Sequence, residues 1–321
     1  MANERYGNKY LVLLGEETSG YGTEQTSYTA TLPDKVEMKE ETSAIEISQK
    51  TGDIETWKGE YLAGTKKGTV TISGQLAIDT GITTHGILFD AFFSNYDGTD
   101  TFDNPAAGAP QSYTIYQYFT SDSNYNVAVG CVAESLEISG AVDGAIEYSI
   151  TFRAKSISRE ESASPPTAPS YTDTEPLLFQ RVSVTRLVDI TDEDRINEIN
   201  SFSLTLNNTF ADDNLIYQNS STKSQELRCG FNGQLNVEFN YDSTHSEDVY
   251  DHIMGSGLTK GNLRLDDPAV SEYFMIETKG KITEYTIADP DKCIFTNSFT
   301  KELMGDDSTA AITITQDSIP V

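Results

Sequence analysis

One compound stretch occurs twice in this chain, about 160 residues apart, and that repetition restricts the fold more than any other feature. Lys67 to Ser94 reads KGTVTISGQLAIDTGITTHGILFDAFFS, and Gln225 to Gly255 reads QELRCGFNGQLNVEFNYDSTHSEDVYDHIMG. In the first copy Val70, Ile72, Leu76 and Ile78 share one face while Thr71, Ser73, Gln75 and Ala77 take the other. In the second, Phe231, Leu235, Val237 and Phe239 oppose Asn232, Gln234, Asn236 and Glu238. Alternation with period two predicts a strand with one dry and one wet face. Each strand is followed by apolar residues at helical spacing: Phe89, Phe92 and Phe93, then Val249, Tyr250, Ile253 and Met254. Thr244 with Glu247 forms a capping box before the second helix, and Gly255 provides its stop.

The correspondence extends outward. A strand follows each helix, SYTIYQYF (Ser112 to Phe119) and SEYFMIET (Ser271 to Thr278). A closing hairpin is predicted in each half. The first joins GCVAESLEIS to AIEYSITFRAK through a turn at Asp143–Gly144; the second joins KCIFTNSFTKEL to TAAITITQDS near Gly305. Upstream, KVEMKEETSAIEI and INSFSLTLNNTF take equivalent places. Gly74 to Gly233 is a shift of 159 and Cys131 to Cys293 one of 162, so the chain reads as a duplicated domain. The expected units are 1–156 and 177–321, joined by a Pro- and Ser-rich linker at 157–176 that Pro165, Pro166 and Pro169 stiffen.

Between these units the chain offers polar connections. Residues 1–34 read as an extended arm. Ala44 to Lys67 is a long insertion holding Ile54 and the single tryptophan, Trp57, and its length suggests a functional loop or a long hairpin. Asn95 to Gln111 is a loop by composition, and Phe210 to Lys223 is a shorter insertion in the second half. The 37% hydrophobic content is enough for each half to bury a core, but no apolar run approaches the ~20 residues of a membrane span. The short apolar run after MANERYGNKY lacks the cleavage pattern of a signal peptide. Cys131, Cys229 and Cys293 sit within strand patterns, as buried small hydrophobes in a reducing compartment would.

The net charge of −28 disfavours tight nucleic-acid binding, which draws most of its free energy from cations displacing counterions. Catalytic and metal motifs are missing: no Cys-x-x-Cys, Gly-x-Ser-x-Gly, His-Glu-x-x-His or phosphate loop occurs. His245 and His252 read as a solvated helix face, and His85 flanks the first helix. The acidic run Asp189 to Asp194 lacks the spacing of a calcium loop. No catalytic residue, metal site or cofactor is expected, and the chain is read as not an enzyme.

ETSGYGTEQTSYTATLP near the start, KKGTVTISGQLAID followed by GILFDAFFS, SYTIYQYF, CVAESLEISGAVDGAIEYSITFRAKS, and INSFSLTLNNTFADDNLI with GFNGQLNVEF together resemble the tail tube proteins of long-tailed bacteriophages, in the form with two tube domains per chain. The resemblance implies a mainly β fold: two tandem β-sandwich domains, each with a short flanking helix, joining edge to edge into a ring-shaped β-barrel. It implies a structural virion protein, made in the host bacterial cytoplasm, whose stacked rings conduct double-stranded DNA without holding it. Rings of three chains are expected, since single-domain members form rings of six. Tail terminator, tape measure and distal tail proteins are the implied partners, with no membrane. The lumen-facing candidates are the wet-face residues Thr71, Ser73, Gln75, Asn232, Gln234 and Asn236 with Glu137 and Glu147. The candidate anchors to a neighbouring subunit or ring are Trp57 and Ile54. The rival reading is a secreted or surface-displayed ligand-binding β-sandwich protein, which predicts a signal peptide, a monomer and aromatics at loop tips.

Overall fold

The computed structural model describes residues 10–25, 27–31, 34–42, 45–50, 56–61, 66–77, 85–94, 101–105, 108–119, 124–161, 176–179, 182–185, 195–196, 199–211, 226–240, 259–267, 272–288, 296–305 and 310–318. Strands β1 (Tyr10–Glu16), β2 (Thr29–Thr31), β3 (Lys35–Thr42), β4 (Ile45–Lys50), β5 (Thr56–Tyr61) and β6 (Lys66–Gln75) precede helix α1 (Gly86–Phe93). Then come β7 (Thr101–Asp103), β8 (Tyr113–Phe119), β9 (Asn124–Ala141), β10 (Glu147–Ala154) and β11 (Ser156–Glu161). The second half holds β12 (Val182–Thr185), β13 (Arg195–Ile196), β14 (Ile199–Phe210), β15 (Arg228–Asn240), β16 (Thr259–Asp267), β17 (Glu272–Ala288), β18 (Thr296–Leu303) and β19 (Ile312–Ser318). The fold is mainly β, its strand pairs are antiparallel, and the sheet does not close on itself.

The pairings recur in order. β1 pairs β2 and β8, as β12 pairs β13 and β16. β3 pairs β6 and β6 pairs β10, as β14 pairs β15 and β15 pairs β18. β9 pairs β8, β10 and β11, as β17 pairs β16, β18 and β19. β9 and β17 are long because each pairs with different neighbours along the two halves of its length. Each is bulged where it meets its hairpin partner, at Glu134 and at Thr283. A bulge adds local bend and twist, which suits a strand that changes partners along its length.

The sequence-based expectations hold for α1, for the β9–β10 hairpin, whose turn includes Asp143 at φ 66°, and for β6 as far as Gln75, where the strand ends; Ala77, expected on the wet face, is buried. Several others need correction. Tyr10–Glu16, read as part of an extended arm, is a strand with Val12, Leu13 and Leu14 fully buried. The expected second hairpin does not form: β18 and β19 each pair with a different half of β17. Strand β17 continues without a break through Lys279–Gly280–Lys281. Gly280 fits because a Cβ there would lie 2.0 Å from the Glu302 carbonyl oxygen. SEYFMIET therefore opens β17 and is the counterpart of β9, while β16 is the counterpart of β8.

The repeat register also shifts. Ile150 and Phe299 stand at the same place in β10 and β18; their partners are Ile72 and Val237. Gly68, not Gly74, is thus the counterpart of Gly233. A slip of six residues keeps every side chain on its face because it is even, so alternation alone could not detect it. Within the Ala44 to Lys67 insertion β4 pairs β5, beyond the β3–β6 ladder. The first residues of the expected linker form β11 against β9. Cys131 is buried as expected, whereas Cys229 is exposed at the β14–β15 irregularity. The second helix, His245, His252, Cys293, Ile54, the acidic run at 189–194 and the linker prolines lie outside the described residues.

The two halves share one core. A single cluster of buried apolar side chains runs from Val12 and Leu14 through Ile150 and Phe152 to Phe202, Leu235, Phe274 and Ile314. The α1 helix is buried on nearly all sides, only Asp90 being partly exposed, and Asp90 accepts a hydrogen bond from Tyr113. The segment at 177–179 docks on the first half, the Leu177 N–H donating to the Leu76 carbonyl at 2.8 Å and the Phe179 N–H to the Gly144 carbonyl at 3.0 Å, while the Phe179 ring stacks on Phe202 of the second half.

Candidate functional site

The feature that stands out is one polar face carried across eight adjacent strands, in the order β3, β6, β10, β9, β14, β15, β18, β17. Cross-strand registry turns the wet-face residues into continuous rows. One row runs Lys35, Ser73, Ser149, Glu137, Thr205, Gln234, Glu302, Lys281. The next runs Gln75, Glu147, Ser139, Ser203, Asn236, Thr300, Glu284. A third runs Glu37, Thr71, Thr151, Ser135, Asn207, Asn232. All eight wet-face candidates therefore share this face, although they come from two distant parts of the chain.

The face is dominated by hydroxyl, amide and carboxylate groups that partly satisfy one another. Thr300 Oγ1 donates to Asn236 Oδ1 at 2.8 Å, and the Thr71 and Thr151 hydroxyls lie 3.3 Å apart. Glu147, Glu238 and Glu284 ring a trough over Ser139, Ser203 and Thr300. Among the described side chains the cations on it are few: Lys35, Lys39 and Lys281 lie on the two outer strands, and Arg153 is paired with Glu134. Such a surface stays wetted and offers a polyanion little counterion-releasing contact. The apolar faces of the same strands point the other way, into the core: Ile72, Ile138, Leu204 and Leu235 are at most 2% exposed.

Three buried polar clusters, none readable from sequence, lie elsewhere in the structure. Glu17 is 4% exposed and accepts from the Gly22 and Gly130 N–H groups at 2.6 and 2.7 Å. It also accepts from the Ser112 and Thr114 hydroxyls. The glycine- and threonine-rich opening is thus a loop folded around one carboxylate. At the end of α1 the Phe92 carbonyl accepts from Arg228 Nη1 at 2.9 Å and from Asn208 Nδ2 at 3.3 Å. A cation at a helix C-terminus is favourable, and burial draws the Arg228 pKa down to about 10. Lys301, fully buried, donates to the carbonyl and hydroxyl of Thr278, and burial brings its pKa down to about 7. Apart from Gly22, five residues from Glu17, their partners lie 23 to 136 residues away in sequence, so no local motif announces them.

The loop Asn95 to Gln111 also does more than its composition implies. Within it β7 pairs with β19, Asn104 Oδ1 accepts from the Ala311 and Ile312 N–H groups, and Gly108 bridges to Arg228. A first-half loop thus completes the edge of the second half. Trp57 lies on β5 opposite Gln49. Among the described residues no group of three or more metal-ligating side chains gathers, and no helix is long and apolar enough to cross a membrane.

The family model for phage tail tube proteins matches residues 7–317. The chain belongs to that family. No curated protein matches it. Membership makes the tail tube protein a structural component of the virion tail, one that assembles with copies of itself and with other tail proteins. In this tube protein the polar face ends at β3 on one side and the C-terminal half of β17 on the other, whose outer edges no strand covers among the described residues.

Proposed function

We propose that this polar face lines the bore of a tube through which double-stranded DNA passes during ejection into the host. The observation that carries the reading is the continuity of the face across eight strands, four from each half of the chain. On this reading 1–156 and 177–321 are duplicated tube domains joined at 157–176, with β11 closing the first. Thr71, Ser73, Gln75, Glu137, Glu147, Asn232, Gln234 and Asn236 face the lumen. Their chemistry neither grips phosphates nor sheds water, so DNA slides rather than binds.

Three chains form each ring. Three sheets of eight strands make a wall of 24. At roughly 4.8 Å between strands and a tilt near 40°, the wall is about 150 Å around and about 48 Å across between backbones. Side chains narrow it to ~40 Å, wide enough for a duplex whose grooves are roughly 8 Å deep. Rings stack through the β4–β5 arm, with Trp57 and Ile54 as anchors, and tail terminator, tape measure and distal proteins cap the tube. The protein is made in the bacterial cytoplasm and works in the virion.

Two experiments test this. Native mass spectrometry and end-on electron microscopy of the purified protein should show three chains per ring and stacked tubes; six whole chains per ring would rule out the proposed geometry. Lysines at Thr71, Ser73, Asn232 and Gln234 should slow DNA ejection from assembled virions, and unchanged ejection would move the lumen to another face.

A further inference from the structure

The chain contains an internal template for the contact between its own copies. Where the halves join, β9 pairs with β14, and Ile138 stands opposite Leu204. Both residues are fully buried. Equivalent positions can be walked strand by strand. β10 (Glu147–Ala154) and β18 (Thr296–Leu303) correspond end to end, at an offset of 149 residues. The bulges at Glu134 and Thr283 carry the same offset across to β9 and β17, so Ile287 is the counterpart of Ile138. On the other side, Ile72 pairs with Val36 and Val237 pairs with Phe202, which makes Met38 the counterpart of Leu204.

These counterparts are not together in the chain. Ile287 is 56% exposed, while Ile138 has no exposed surface. The difference has a simple cause: β14 covers the outer edge of β9, and among the described residues no strand covers the outer edge of β17 over 281–288. The outer edge of β3 is likewise without a strand among the described residues. Successive strands alternate in direction across an even number of strands, so β3 runs opposite to β17, as an antiparallel joint requires.

We propose that residues 284–288 of β17 pair antiparallel with β3 of a second copy of this chain, with Ile287 opposite Met38. The inference rests on the tube reading and gives it a residue-level joint. The register of the β9–β14 junction places Glu37 opposite Ala288 and Lys39 opposite Thr286, with Lys39 diagonal to Glu284. The wet-face rows then run unbroken from one copy into the next. The contact is head-to-tail, so it propagates until the rotation closes a ring. The charged side chains Lys35, Glu37 and Lys39 along β3 deter pairing with unrelated strands before the correct edge arrives.

Two double variants test the register in a Cys229→Ser, Cys293→Ser background. One carries Met38→Cys with Ile287→Cys, the other Lys39→Cys with Thr286→Cys. Facing residues in antiparallel strands lie close enough for a disulfide, and adjacent pairs alternate between wide and narrow spacing, so the two variants cover both cases. Mild oxidation of assembled protein should link chains into multiples of the 35.3 kDa mass in at least one of them. Glu37→Cys with Ile287→Cys, whose side chains would point to opposite faces, should not link. Tubes that link only in this control, or in none of the three, overturn the joint while leaving the tube intact. A wild-type chain that never assembles overturns the tube reading as well. As a separate measure, Ile287→Asp should leave thermal melting of the monomer unchanged and raise the concentration needed for assembly ~tenfold or more. Assembly at the wild-type concentration would overturn the joint.

Discussion

Phe89 of α1 and Phe274 of β17 meet with ring centroids 5.5 Å apart, and both are almost wholly buried. The contact joins a helix from the first half to a strand from the second. With Phe92 near Phe231 and Arg228 on the Phe92 carbonyl, it ties the halves into one packed body.

Phe274→Ala should therefore destabilise the whole chain by roughly 3–5 kcal/mol, the usual cost of deleting a buried ring. Chemical denaturation followed by tyrosine fluorescence should still give one transition, shifted to lower denaturant. Two separate transitions, only one of them shifted, would mean that the halves unfold independently.

The strap from the first half contributes to the same coupling. Asn104 Oδ1 accepts two backbone N–H groups at 3.0 and 3.1 Å. Asn104→Ala leaves both donors without that acceptor and should cost about 1–3 kcal/mol. Hydrogen exchange at Ala311 and Ile312 should quicken, with the β9–β10 hairpin unaffected.

Glu17→Ala removes the acceptor of four donors in a site only 4% exposed. A loss of about 2–4 kcal/mol is expected, since buried donors left without partners cost more than the hydrogen bonds contributed. Exchange of the Gly22 and Gly130 amides would report the opened loop; protection as in the wild type would show that another acceptor replaces the carboxylate.

Lys301 sets a pH dependence. Burial lowers its pKa from 10.5 to about 7, so between those values the unfolded chain binds more protons than the folded one. This residue's contribution to stability therefore rises with pH from about 7 toward 10.5, and below about 7 its penalty is constant. Lys301→Met, of similar length and uncharged, should raise stability at pH 7 by about 1–3 kcal/mol and flatten that slope. Melting temperatures at pH 6, 7, 8 and 9 for both proteins check the sign; parallel curves would mean that the ammonium is solvated.

The sequence by itself determined what local periodicity can encode. Val70 and Ile72 alternate with Thr71 and Ser73, and that pattern places every side chain on its face before any partner strand is known. The same holds for the Phe89, Phe92 and Phe93 stripe, the Asp143–Gly144 turn, and the collection of wet-face residues that proved to share one surface. Tertiary structure decided which strand meets which, because that depends on groups far apart in the chain. The Gly74–Gly233 match slipped by six residues without disturbing any face, since an even shift is invisible to a period of two. Strand β17 runs on through Lys279–Gly280–Lys281 because Gly280 lets the Glu302 carbonyl approach and Lys301 is held by Thr278. Thr101–Asp103 has the composition of a loop and becomes a strand only because the β19 edge is there to receive it. Ile138 and Ile287 are the same residue in equivalent strands; a neighbouring strand, not their own sequence, decides that one is buried and the other exposed.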